Sequence, residues 1–181
     1  VEGPVTARYF VLGRGALAEG AARLEHAYLG EGAELAKGAL AEHSLVFANS
    51  QLHGGEVLSA WAGAHTVSHH RSTLLIAGAY QFYNAGSGAN FSNHHYRLGP
   101  VHQGILERGC KSGSSSFLLF PSHVGAYSTL IGRHGKTLSS IDYPYSLLVG
   151  KDERTLLYPG LLCFSSGQFR DELKWPLRDR R

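Results

Sequence analysis

The chain has no methionine, only two cysteines, and charged side chains at just 17% of its 181 positions. Each shortage excludes something. With only Cys110 and Cys163, and no metal-type pairing between them, buried reduced thiols are expected rather than a disulfide framework, which favours the cytoplasm. The 17 Lys plus Arg against 14 Asp plus Glu leave a surplus too small and scattered for an electrostatic nucleic-acid footprint. No apolar run approaches the ~20 residues of a membrane span, and no charged, apolar and cleavage-site series opens the chain. The lack of methionine even at position 1 leads us to expect a fragment of a longer polypeptide, whose function is shared with the remainder.

What is abundant is glycine, at 23 positions about twice the usual share, within a chain long enough for one well-cored domain. Bulky residues recur in steps of six, with a small residue four places after each: Leu12 with Ala16, Ala18 with Ala22, Leu29 with Ala33, Leu35 with Ala39. Two steps, Leu24 to Leu29 and Leu35 to Leu40, fall one residue short. The count continues through Val46, Leu52, Leu58 and Ala64, passes Ile76 and Phe82, and resumes at Leu106, Leu118 and Val124. A period of six fits neither the 3.6 of a helix nor the two-residue alternation of an ordinary strand. It fits short strands joined by corners.

If each hexad is one side of a triangular prism, the bulky residue points inward and the small one sits where the chain turns. Three hexads then make a coil, and successive coils stack as parallel strands about 4.8 Å apart. The fold class expected is all-β, a parallel β-helix over residues 1–135. A sandwich with glycine-rich turns would not hold a six-residue period for so many steps. Residues 136–181 leave the period: SLLVGKDERTLLY predicts a β-hairpin, and FRDELKWPLRDRR predicts a short charged helix stopped by Pro176, then a tail. Such an extension caps the stack or links it to another domain.

LGRGALAEGAARLEHAYLGEGAELAKGALAEHSLVFANS resembles the hexapeptide repeats of the left-handed parallel β-helix superfamily, over roughly residues 8 to 135. NHHYRLGPVHQG, followed by GRHGK, is further similar to an uncharacterised bacterial branch of that superfamily. The resemblance implies a left-handed coil, an exception to the usual crossover hand. It also implies a homotrimer with clefts between subunits, and acyl transfer from coenzyme A or an acyl carrier protein to a sugar or sugar nucleotide.

The hexad rule fails in SGANFSNHHYRLGPVHQG, where His94 and Pro100 replace core residues, so a loop is expected to project around 90–104. In the acyltransferases a histidine takes the proton from the attacking hydroxyl or amine, which requires a neutral, oriented imidazole. His94, His95 and His102 are the catalytic candidates. Asn90 and Asn93 would orient a substrate amide or hydroxyl, and Arg97 would meet a phosphate or carboxylate. Eighteen-residue stacking sets Asn84 below His102 and Thr66 below Asn84, a polar ladder along one face. Arg133, His134 and Lys136 form a basic group for the donor's phosphates, or a solvated last corner.

Each candidate has a plain structural reading: corner asparagines stack in ladders without a ligand, and loop histidines are commonly surface residues. Three classes therefore stay open. Acyl transfer, with no metal, is preferred. A non-catalytic trimerisation or ligand-binding module of a larger enzyme comes next. The third is a zinc hydratase resembling the γ-class carbonic anhydrases, for which His65 and His70 supply the H-x4-H spacing while Leu29 stands where that family has its other histidine.

Overall fold

The computed structural model describes residues 1–92, 103–151, 154–164, 167, 170, 173–174 and 176–179. Short parallel strands stack into a β-solenoid of about eight turns. Up one face, Thr6 pairs with Arg23, Arg23 with Leu40, Leu40 with Glu56 and Glu56 with Leu74, so each coil brings the chain back over itself after a slightly different length. Three ladders run side by side, so the cross-section has three faces. Face I carries Arg23–Glu25, Leu40–Glu42, Glu56–Leu58, Leu74–Ile76, Asn90–Phe91 and Phe117–Leu118. Face II carries Tyr28–Leu29, Leu45–Val46, Trp61–Ala62, Gly78–Tyr80, Gly104–Leu106 and His123–Val124. Face III carries Leu17–Ala18, Glu34–Ala36, Gln51–His53, Val67–Ser68 and Lys111–Ser112.

Alternation along these strands aims one residue per face into the prism. On face I the inward column is Leu24, Ala41, Val57, Leu75, Phe91, Leu118 and His134. On face II it is Leu12, Leu29, Val46, Ala62, Tyr80, Leu106 and Val124. The hexad count therefore locates Leu29, Leu35, Val46, Leu52, Leu106, Leu118 and Val124 correctly and slips between. Where it puts Leu40, Leu58, Ala64, Ile76 and Phe82 inward, the core residues are Ala41, Val57, Ala62, Leu75 and Tyr80. A coil is not three equal hexads: the one from Leu40 to Glu56 is shorter than the one below it and the one above it is longer, so a fixed count loses its register.

The small residues at the turns do more than save space. Ser44, Ser50 and Thr66 are buried, and their hydroxyls donate to the carbonyls of Val57, Gly63 and Tyr80 on the next coil. Ser44 and Ser50 Oγ also accept from the amides of Ala60 and Thr66. At each corner the backbone leaves the ladder, and these hydroxyls bond the groups it would strand there. The corners between faces I and II pass through the left-handed region at Tyr9, His26, His43, Ser59 and Ala77, with φ of 49°, 48°, 47°, 50° and 53°. Tyr9, His26 and His43 stack there at 4.8 and 4.9 Å between ring centroids.

One coil is longer than the rest. Gly78 pairs with Gly104 and Asn90 with Phe117, partners much farther apart in the chain than any pair lower in the stack. An insertion therefore separates Phe91 on face I from Gly104 on face II, where the sequence predicts a projecting loop; residues 93–102 lie outside the described residues. Beneath the insertion the core is aromatic, with Tyr80, Tyr83 and Phe91 fully buried and their rings 5.6 to 6.4 Å apart. At the other end, Leu147–Lys151 extends face III by pairing with Thr129–His134, and Arg154–Tyr158 turns back antiparallel as the predicted hairpin. The short 3-10 turn Pro176–Arg178 follows, and Asn49 Nδ2 donates to Asp179 Oδ1 at 2.8 Å, tying the tail to an early coil.

Candidate functional site

The strand that follows the insertion, Gly104–Leu106, also borders a cleft. It has a volume of about 430 Å³ and lies on face II, lined by Ser59, Trp61, Ala77, Ala79, Gln103 and Ile105 with Gly78 and Gly104 at its floor. Small side chains on the Gly78–Tyr80 rung, between bulky Trp61 below and Ile105 above, create the depression. Gly104 is required by close approach: a Cβ there would fall 2.1 Å from the ring of Phe120, which packs under the corner where the inserted segment rejoins the coil.

On the rung above Ile105 stands His123, paired with it in register. His123 Nε2 lies 2.7 Å from Oε1 of Glu107, with side chains 27% and 32% exposed. Both are half-shielded, so the pair keeps one geometry while remaining within reach of solutes. With the carboxylate accepting from Nε2–H, the neutral ring carries its lone pair on Nδ1, the arrangement a general base needs. The sequence reading did not single out either residue. They stand one coil apart in the chain, and a search for acids one coil away from each histidine would have found them.

Of the candidates drawn from the sequence, His94, His95, His102, Asn93 and Arg97 lie outside the described residues. Of the described residues that flank them, Gln103 lines the cleft. Asn90 is half-buried on face I and accepts from Ser92 Oγ at 2.8 Å. Asn84 is exposed and pairs with Val67 below and Lys111 above, so Thr66 is not below Asn84 but sits under Tyr83, one residue out of the expected register; His102, the third expected rung, lies outside the described residues.

The basic trio is divided. Arg133 lies over the Phe117 ring at 4.7 Å on the outer side of face I, and Lys136 is exposed. His134 points inward above Leu118 and is fully buried, with Nδ1 2.8 Å from Thr155 Oγ1 and Nε2 without a hydrogen-bond partner among the described residues. Burial lowers its pKa to about 4, so it is neutral at pH 7 and offers no charge to a phosphate. His65 and His70 stand at opposite ends of the Val67–Ser68 strand, His65 edge-on to Phe82 at 5.9 Å and His70 exposed. Among the described residues no three His, Cys, Asp or Glu side chains converge to hold a metal.

Fold and cleft together define a parallel β-solenoid protein with one enlarged coil. A family model described as "Domain of unknown function (DUF4954)" matches residues 1–181, and the chain belongs to that family. No curated protein matches it.

Proposed function

We propose that the chain is an acyltransferase of the left-handed hexapeptide-repeat type, passing an acyl group from a thioester of coenzyme A or an acyl carrier protein to a hydroxyl or amine of a sugar or sugar nucleotide. The observation that carries this reading is the 2.7 Å His123–Glu107 pair set one rung above a cleft lined by Gln103, the residue that follows the histidine-rich stretch in the chain. In the reaction a neutral imidazole takes the proton from the acceptor as its oxygen or nitrogen forms the new bond to the thioester carbonyl. The carbon–sulfur bond then breaks, and the imidazolium returns the proton to the leaving thiolate. His123 is the base oriented by a carboxylate; His94, His95 and His102, beside Asn93 and Arg97, are the groups that would bind or share in that proton transfer.

The acceptor side would lie in the cleft against Trp61, whose ring stacks on Phe47 at 4.7 Å and offers a flat apolar surface of the kind a sugar ring packs on. Assembly completes the picture. Below the cleft on the same column of face II, Val11 and Leu45 are 61% and 42% exposed, an apolar stripe that association into a homotrimer would cover while leaving Trp61 open. We place the protein in the cytoplasm because Cys110, fully buried, and Cys163 are both free thiols.

Turnover of acyl-coenzyme A, followed as free thiol released in the presence of sugar and sugar-nucleotide acceptors, tests the reading. His123→Ala should lower kcat by about 100-fold or more, the usual contribution of a general base, with the melting temperature kept. Full activity in His123→Ala, His94→Ala and His102→Ala alike would remove the histidine mechanism. No thioester turnover with any acceptor would favour the non-catalytic module.

A further inference from the structure

A second cleft, of about 710 Å³, opens on the corner where face III turns into face I, away from the acyl-transfer cleft. Its walls carry Arg23, Lys37 and Arg71 against a single acid, Glu56. Arg23 is in part engaged, 3.4 Å from Glu25, whereas Lys37 and Arg71 have no ion-pair partner among the described residues. Three coils contribute in order. Lys37 occupies the corner with φ of 57°, Gly54 occupies the rung above with φ of 68°, and Arg71 follows. A Cβ on Gly54 would fall 2.9 Å from both Cα and Cγ of Arg71, so the glycine is what lets the arginine stem lie down across the corner toward Lys37.

The Lys37 and Arg71 backbones are therefore stacked along the solenoid axis, about 10 Å apart at two rungs of roughly 4.8 Å. Three cations against one acid in the lining raise the local concentration of an anion. A guanidinium and an ammonium at fixed spacing suit phosphoryl oxygens, the first as a fork and the second as a point charge. No aromatic ring lines the cleft among the described residues, so it offers no platform for a nucleobase or a sugar ring.

We infer that this corner is a binding site for a linear oligophosphate, an extended phosphoryl anion lying along the axis between Lys37 and Arg71 with Arg23 at its lower end. The site is independent of acyl transfer. The charges and the absence of a stacking surface select the phosphoryl chain itself rather than a nucleotide.

The test is isothermal titration of the full chain with sodium tripolyphosphate, with orthophosphate, citrate and ATP as comparators. One equivalent of tripolyphosphate should bind, at least about tenfold tighter than orthophosphate or citrate and no weaker than ATP, with affinity falling as salt rises. Lys37→Ala and Arg71→Ala should each weaken binding about tenfold with the melting temperature unchanged, as expected for loss of a charge-assisted contact at an exposed side chain. Glu56→Gln should tighten it. Equal binding of all four anions, a clear preference for ATP, or a tripolyphosphate affinity untouched by both cation substitutions would overturn the proposal. Because none of these residues borders the cleft on face II, acyl transfer should be unaltered in all three variants.

Discussion

The most informative single residue is His134. The sequence sets it among basic neighbours at a solvated corner or a phosphate site, yet it occupies the inward column above Leu118, where every lower position on face I is hydrocarbon. Its pKa falls from 6.5 to about 4 because burial opposes the charged form. Below pH 6.5 the unfolded chain therefore binds a proton that the folded chain refuses, so stability falls as pH drops from 6.5 toward 4. The loss is on the order of 2 kcal/mol after allowance for partial solvent screening. Urea unfolding at pH 7, 5.5 and 4.5 checks the direction. His134→Leu, which continues the hydrocarbon column, should remove that part of the slope without lowering stability at pH 7.

Corner hydroxyls make a second case at this scale. Ser44 Oγ bonds the Val57 carbonyl at 3.0 Å and the Ala60 amide at 3.1 Å. Ser44→Ala should cost about 1–3 kcal/mol because two buried backbone groups lose a partner. A ΔΔG below a few tenths would mean that water takes its place.

At the scale of the element, the coil defines what could be read beforehand. Parallel stacking, the insertion after Phe91 and the hairpin that pairs Leu148 with Leu157 were legible, because each leaves a local mark: a bulky residue every five or six positions, its failure, and two apolar runs around a charged turn. The register was not. Coils that differ by a single residue look alike in one sequence, and Ala41 competes with Leu40, and Val57 with Leu58, for the inward place. The His123–Glu107 pair was missed for a related reason, since the reading looked within the polar stretch rather than one coil away.

The enlarged coil also explains Gly104. Its missing Cβ leaves room for the Phe120 ring, so Gly104→Ala should destabilise by about 1–3 kcal/mol through overpacking. A melting curve unchanged by that substitution would mean that Phe120 has another place to go.

The molecule as a whole is a one-dimensional stack whose coils touch only their neighbours, with no helix long and apolar enough to cross a membrane among the described residues. A charge placed in the middle of such a core has nowhere to be shared. Leu118→Asp, at a fully buried position between Phe91 and His134, should abolish the cooperative melting transition, and a soluble, cooperatively folded variant would count against the stacked core. Function is read least directly at this scale, because the stacking rule dictates most inward residues whatever the protein does. What departs from the rule is the insertion and the cleft it borders.

The proposed acyl transfer requires the thioester donor to reach the acceptor in this cleft, beside His123. The most direct test is the melting temperature of the full chain with and without acyl-coenzyme A, since a ligand held only by the folded state stabilises it by about 2.7 kcal/mol at roughly one hundred times its Kd. The account predicts a rise that is lost in Ala79→Trp, which fills the cleft beside Trp61 without touching His123 or Glu107. No rise with any acyl-coenzyme A or acyl carrier protein, or a rise that Ala79→Trp leaves intact, would contradict it.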